Sequence, residues 1–284
     1  MIAPAVLSTA SSSTIRFFLQ NNIILTTVNM KTIILAAGTG QRLGNCSEDR
    51  PKCLLEFNGK SLLQRHIEIL HHYGMDDVVI VTGFKSAMIK SELSDIGANR
   101  VELCFNPDFT LGSILSLRTG LNALAPDQDF IMMDADILYD HNIIDKLINS
   151  DKENIFLLDR NFEIGEEPVK LCVHNGQLIE FRKQLDKNLV FDFQGESVGF
   201  FRFTSHAGKL LGLKASEYIN RGEDEVPYEE IIRDVLLAEP EKYSFEDITG
   251  LPWLEIDFPE DVIKAKNEIL PNLADLPEIT DLSE

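Results

Sequence analysis

From Thr32 onward, short runs rich in Ile, Val, Leu and Phe alternate with stretches whose apolar residues recur at helical spacing, and this cadence leaves few folds open. The runs 32–36, 77–82, 101–105 and 130–134 are rich in Ile, Val, Leu and Phe, as buried parallel strands tend to be. Between them, 61–73, 85–95 and 113–124 read as helices; in the first, Leu62, Leu63, His66, Ile67 and Leu70 make one face. Strand, helix, strand, helix in this order implies right-handed crossovers and an α/β doubly wound, Rossmann-like mixed sheet flanked by helices. Ligands of such sheets bind beyond the carboxyl ends of the strands. The residues just after Ala36, Thr82, Phe105 and Met133 are therefore where chemistry is expected.

The second half is less regular. Strands are expected at 169–173, 178–181 and 197–203, with Asn175-Gly176 as a hairpin turn between the first two. Helices are expected at 206–219 and 228–237, then a last strand near 253–257 and a helix over 259–267. The acidic segment 271–284, with Pro271 and Pro277, reads as a mobile tail. Residues 1–29 are Ser/Thr-rich and carry Arg16 as their only charge, so they read as a disordered N-terminal extension or as lying upstream of a start at Met30, with a cleaved targeting peptide as the lesser alternative. One domain is expected over 30–270.

The 284 residues include 26 Lys plus Arg against 46 Asp plus Glu, a formal charge of −20. That field opposes nucleic acid and anionic membranes. No apolar run reaches the ~18 to 20 residues that cross a bilayer. The four cysteines include no Cys-x-x-Cys pair, so neither a zinc site nor a disulfide framework is indicated, and a cytoplasmic location is expected.

One segment departs from this acidity. Residues 31–60 hold five basic and three acidic side chains, a charge of +2. They contain Leu35-Ala-Ala-Gly-Thr-Gly-Gln-Arg-Leu-Gly44 and then Asp49-Arg-Pro-Lys52. Gly38 and Gly40, directly after the first strand, let the backbone turn tightly and aim N–H groups at an anion. Arg42, Arg50 and Lys52 bring three cations to the same strand end. A dinucleotide fingerprint does not fit, because the third glycine comes one residue late and a charged, Pro-broken loop follows. A Walker A motif does not fit either, because Leu54 stands where its first glycine belongs ahead of Gly59-Lys60-Ser61.

Leu-Ala-Ala-Gly-x-Gly-x-Arg-Leu, a loop, Pro-Lys and a Gly-Lys-x-Leu-Leu helix start together resemble the nucleotidyltransferase superfamily, which includes sugar-1-phosphate pyrophosphorylases and bacterial phosphocholine cytidylyltransferases. The resemblance runs from about Met30 to Leu270 and leans toward the cytidylyltransferase branch through Glu255-Ile-Asp257. It implies the fold of the nucleotide-diphospho-sugar transferases and an enzyme that joins a nucleoside triphosphate, CTP by that branch, to a small phosphorylated alcohol, choline phosphate foremost, releasing pyrophosphate. It implies Mg²⁺ on Asp136 and Asp257, with Asp134 as a supporting or structural residue. Arg42 would hold the outer phosphates and Lys52 would bridge the triphosphate and the incoming phosphate.

The same resemblance puts nucleotide binding on Leu35, Ala36, Ala37, Gly38, Thr39, Gly40, Thr82, Gly83, Asn106 and Ser113; ordinary turn and cap roles serve Thr82 and Ser113 equally well. For the acceptor it points to Lys183, ahead of Lys170, to Glu196, and to Tyr228 with Glu229 around a quaternary ammonium. An aminoalkyl phosphonate such as 2-aminoethylphosphonate and a sugar 1-phosphate are the alternative acceptors. A non-catalytic nucleotide-binding regulator is the alternative of another class.

Overall fold

The computed structural model describes residues 15–19, 22–26, 30–47, 49–98 and 100–277. Of the expected extension, Ile15–Leu19 and Asn22–Thr26 pair as a separate antiparallel unit; its remaining residues, and 278–284 of the tail, lie outside the described residues.

The first half follows the alternation closely. Strand β1 (Met30–Ala36) leads through the glycine loop to α1 (Leu62–His72), then β2 (Val78–Thr82), α2 (Ser86–Asp95), β3 (Glu102–Phe105), α3 (Ser113–Leu121) and β4 (Asp129–Asp134). Ser61 caps α1, its hydroxyl accepting from Gln64 N–H at 2.9 Å. β1 lies between β2 and β4, parallel to both, and β3 extends the parallel part to an edge. Alternate residues of one strand feed two cores. Ile34, Ile80, Ile131 and Met133 pack with α1, α2 and Ile143, Ile144 and Leu147 on one face. Ile33, Val79, Val81, Phe130 and Met132 pack with α3 and the later helices on the other.

Beyond β4 come β5 (Ile137–Tyr139), α4 (Asn142–Asn149), β6 (Asn154–Asp159), β7 (Lys170–His174), β8 (Gln177–Arg182) and β9 (Phe193–Phe203). Helices α5 (Ser205–Asn220) and α6 (Tyr228–Ala238), strands β10 (Tyr243–Asp247) and β11 (Trp253–Glu255) and helix α7 (Pro259–Lys264) complete the order. The hairpin between β7 and β8 turns on Asn175 and Gly176, both at positive φ (50° and 76°), the geometry of a type I′ turn. The nine-stranded sheet runs β8-β7-β9-β4-β1-β2-β3, with β6 on the other edge of β9 and β10 parallel to β6.

Three pieces of the second half differ from expectation. The strand placed at 197–203 begins at Phe193, because its first residues pair with β7 and its last with β4. Gly199, at φ +77°, makes the change of partner, and a Cβ there would stand 2.4 Å from Asp134 Oδ2. β5, β6, β10 and α4 were not anticipated, although Ile143, Ile144, Leu147 and Ile148 recur at helical spacing in α4 and 155–158 is an apolar run in β6. The last strand ends at Glu255 instead of Asp257, since the N–H groups of Asp257 and Phe258 turn to Asp261 Oδ2 at 2.9 and 2.7 Å. The following helix runs past residue 267 and changes to a π turn over Ala265–Ile269.

A third, smaller core decides where the loops go. Leu43 from the glycine loop, Leu55 and Phe57 from the Pro-Lys loop, Leu138 from β5 and Ile256 beyond β11 bury one another. Four chain segments are thus pinned together at the carboxyl end of β1 and β4. No helix among the described residues is long and apolar enough to cross a membrane.

Candidate active site

At that strand end lies a cleft of about 360 Å³, lined by Leu35, Ala36, Gly38, Thr39, Gly40 and Gln41, with Arg42, Lys52, Cys53, Ala135 and Asp136. Gly40 has φ +63°, and a Cβ there would meet Lys52 Cγ at 2.9 Å, so glycine both makes the turn and leaves room for the lysine stem. Gly38 faces open space, which keeps its backbone approachable.

The two predicted metal aspartates meet here from distant parts of the chain. β11 pairs antiparallel with β5, Glu255 opposite Ile137, and Ile256 N–H donates to the Asp136 carbonyl at 2.9 Å. That ladder carries Asp257 to Asp136. Carboxylate oxygens of Asp136, Glu255 and Asp257 all lie within 4.8 Å of one another. Three hard oxygen donors at such spacing suit a small divalent cation that keeps some of its own waters.

Lys52 sits among them. Its ammonium is 3.0 Å from Asp136 Oδ2 and is also paired with Asp257 Oδ1. Burial alone would lower the pKa of that ammonium, but Asp136 and Asp257 outweigh burial and hold it above its ordinary value. Arg42 donates to Asp257 Oδ2 at 2.8 Å and to Glu167 at 3.2 Å, with its guanidinium 5.2 Å from the centre of the Phe258 ring. Glu255 is reached by water, yet protein crowding and the charges of Asp136 and Asp257 push its carboxyl up to about 8. Arg50 turns away to Glu56, 3.5 Å distant.

A second, smaller pocket adjoins the acidic cluster through Glu255. Its lining includes Asp134, Glu167, Lys183, Ser197, Gly199, Tyr228 and Glu229. The Tyr228 hydroxyl donates to Asp134. Burial and the nearby Asp136 raise the Asp134 carboxyl well above the usual range. Lys183 lies 3.4 Å from Glu167, so Glu167 stands between Lys183 and Arg42 and faces both pockets' cations.

The structure brings Arg42, Lys52, Asp136 and Asp257 into one cluster, and Lys183, Tyr228 and Glu229 into the pocket beside it. Other predicted residues stand differently. Lys170 is buried and spends its ammonium on the carbonyls of Gly165, Pro168 and Lys183, a clamp on the loop before β7. Glu196 lies outside the lining of both pockets, among Asp159, Lys170 and Lys264. Asn106 is buried, donates to Ser116 Oγ at 3.1 Å and accepts from Asp108 N–H. Ser113 Oγ accepts from Tyr228 N–H at 2.9 Å, tying the start of α3 to the start of α6. Thr82 is buried at the end of β2, and Gly83 is packed so closely that a Cβ would stand 2.4 Å from Phe109.

Glu255 entered the sequence reading only within Glu255-Ile-Asp257, with no role at the site, and Glu167 did not enter it. For Glu255 a signal existed, since it precedes Asp257 by two residues in a strand-like segment and shares its face. Glu167 sits in an irregular loop with no pattern to mark it.

Comparison with known proteins gives the family and the fold. Residues 32–188 match the MobA-like NTP transferase domain. The chain is 27% identical over 250 residues to the CTP:phosphoglutamine cytidylyltransferase of Campylobacter jejuni, covering 82% of this chain and 98% of that one. It is 24% identical over 249 residues to the CMP-5'-(3-aminopropyl)phosphonate synthase of Streptomyces rubellomurinus, covering 86% of this chain but 39% of that protein. The solved CTP:phosphocholine cytidylyltransferase of Streptococcus pneumoniae superposes with a TM-score of 0.64 at 20% identity, over 84% of this chain and 97% of the other.

Proposed function

Since this chain belongs to the MobA-like NTP transferase domain family, within the nucleotidyltransferase superfamily, we propose that it is a Mg²⁺-dependent cytidylyltransferase that joins CTP to a small phosphoryl or phosphonyl acceptor with a nitrogen-bearing head group. One observation carries this reading. Two cations and three carboxylates converge beside a glycine loop at the strand end, with a second acidic pocket adjoining.

The reaction needs no protein nucleophile. A phosphate or phosphonate oxygen of the acceptor bonds to the α-phosphorus of CTP while the bond from that phosphorus to the bridging oxygen breaks, and pyrophosphate leaves with the electron pair. The difficulty is joining two anions, which positioning and charge neutralisation overcome. The N–H groups around Gly38 and Gly40 receive phosphate oxygens, Arg42 takes the outer phosphates, and Lys52 lies between the triphosphate and the incoming oxygen. Lys183 takes the acceptor's phosphate or phosphonate. Asp136 and Asp257, with Glu255 beside them, would hold Mg²⁺, which when bound neutralises charge at the α-phosphate.

Choline phosphate and an aminoalkyl phosphonate are the acceptors this reading leaves open. The curated relatives named for phosphoglutamine and aminopropylphosphonate support a nitrogenous acceptor. A pyrophosphate-release screen crossing the four ribonucleoside triphosphates with choline phosphate, 2-aminoethylphosphonate and sugar 1-phosphates tests it. Turnover is expected with CTP and a nitrogenous acceptor. Turnover confined to a sugar 1-phosphate with another nucleotide overturns the assignment, and tight nucleotide binding without turnover of any pair points to a regulator.

A further inference from the structure

The second pocket contains an acceptor atom with nothing to accept. Glu229 Oε2 is buried and has no hydrogen-bond partner among the described residues, while its side chain lines the pocket together with Asp134, Glu167 and Glu255. Of the other acids, Glu255 belongs to the carboxylate cluster and two are engaged. Asp134 receives the Tyr228 hydroxyl, and Glu167 reaches Arg42 and Lys183. A buried polar oxygen left unpaired is costly, so such an atom in a native protein calls for an explanation, a ligand that donates to it among them.

The rings in this pocket are not arranged to receive a quaternary ammonium. Such a cation has no N–H and is held by open aromatic faces. Here Phe181, Phe201 and Tyr228 are 1%, 0% and 6% exposed. Phe201 meets Tyr228 edge to face with ring centres 6.4 Å apart, and Phe181 and Phe201 both pack on Phe156. Those faces are spent on the core. What the pocket offers a ligand is carboxylate oxygen, beside a single lysine.

We propose that the acceptor's head group is an N–H donor, a primary ammonium in contact with Glu229 Oε2, and that the pocket selects it against the trimethylated analogue. The inference rests on the cytidylyltransferase reading and narrows its acceptor. With the phosphate or phosphonate at Lys183, the ammonium supplies the donor that Glu229 lacks and offsets the surplus of carboxylates. Each N-methyl removes one N–H and adds bulk to a small pocket. Sites built to hydrogen-bond a polar group can reject an analogue lacking it by up to ~10⁴-fold.

The test uses the full chain, CTP and Mg²⁺, with ethanolamine phosphate and its N-methyl, N,N-dimethyl and N,N,N-trimethyl derivatives, the last being choline phosphate. Expected is a stepwise fall in kcat/KM with each methyl, at least about tenfold from first to last, expressed mainly in acceptor KM. Glu229→Gln should flatten the series and raise acceptor KM more than CTP KM. Should that variant fold poorly, by melting temperature, the wild-type series decides alone. Choline phosphate turned over as well as or better than ethanolamine phosphate overturns the proposal, as does an unchanged series in a folded Glu229→Gln. Calorimetry with CTP and Mg²⁺ separates the two levels: CTP bound but neither acceptor used overturns the head-group inference alone, whereas no CTP binding overturns the cytidylyltransferase reading.

Discussion

The ammonium of Lys52 lies 3.0 Å from the carboxylate of Asp136, in the midst of the three acids that suit a divalent cation. Without a bound cation, Lys52 and Arg42 are the charges that offset that cluster. Removing one partner of a buried ion pair leaves the other uncompensated and costs about 3 to 5 kcal/mol. Lys52→Ala should therefore lower the melting temperature of the metal-free protein, and Mg²⁺ should restore more of it in the variant than in wild type. Equal stabilisation by Mg²⁺ in both would show that the cation binds elsewhere.

Asp136→Asn and Asp257→Asn test the same cluster through turnover. Residues that merely orient metal ligands cost about 10- to 100-fold when changed, so loss of a ligand should exceed ~100-fold. Asp257→Asn should also lower thermal stability, because Asp257 pairs with both Lys52 and Arg42. Near-normal turnover in either variant removes that carboxylate from the metal site.

Gly199→Ala probes the point where β9 changes partner. The new methyl would meet Asp134 Oδ2 at 2.4 Å on a backbone held at φ +77°. Overpacking and a left-handed conformation together should cost about 1 to 3 kcal/mol in urea unfolding. The displaced Asp134 should also disturb its hydrogen bond from Tyr228 and raise acceptor KM.

Glu196 gives a pH signature. Burial, aided by the neighbouring Asp159, raises its carboxyl from 4.5 to about 7. The folded state therefore keeps a proton that the unfolded state has lost, and stability falls as pH rises from about 4.5 to about 7, then levels off. The loss is at most about 3 kcal/mol. Unfolding measured between pH 4.5 and 8 should show Glu196→Gln gaining on wild type through this window; parallel profiles would show that Glu196 keeps an ordinary pKa.

Much of the fold was legible because its first half is periodic. Strands 32–36 and 130–134 and the helix over 113–124 match β1, β4 and α3 to within a few residues, since a largely apolar run and a 3.6-residue period are local properties. The second half was harder for the same reason in reverse. β5 and β11 have three residues each, too few for any period, and they exist because they pair with each other. Among site residues, the glycine loop, Arg42 and Lys52 announce themselves within 20 residues of chain. Glu196 and Lys170 did not reach the pockets: Glu196 sits among Asp159, Lys170 and Lys264, and Lys170 was needed to hold a loop. Which way a strand side chain faces is set by register, which the pattern near 197 left one-sided.

Sequence alone determined that this chain is a doubly wound α/β protein with one cationic glycine loop in an acidic background, because hydrophobic period, glycine placement and charge are written residue by residue. Only the tertiary structure decided that Asp257 faces Lys52 across 205 positions, that Glu255 joins them, and that Glu229 is left with an unpartnered oxygen. Those are facts of convergence. They depend on a three-residue strand pairing and on the small core around Leu43 and Ile256, whose partners lie far apart in the chain and meet only when it has folded.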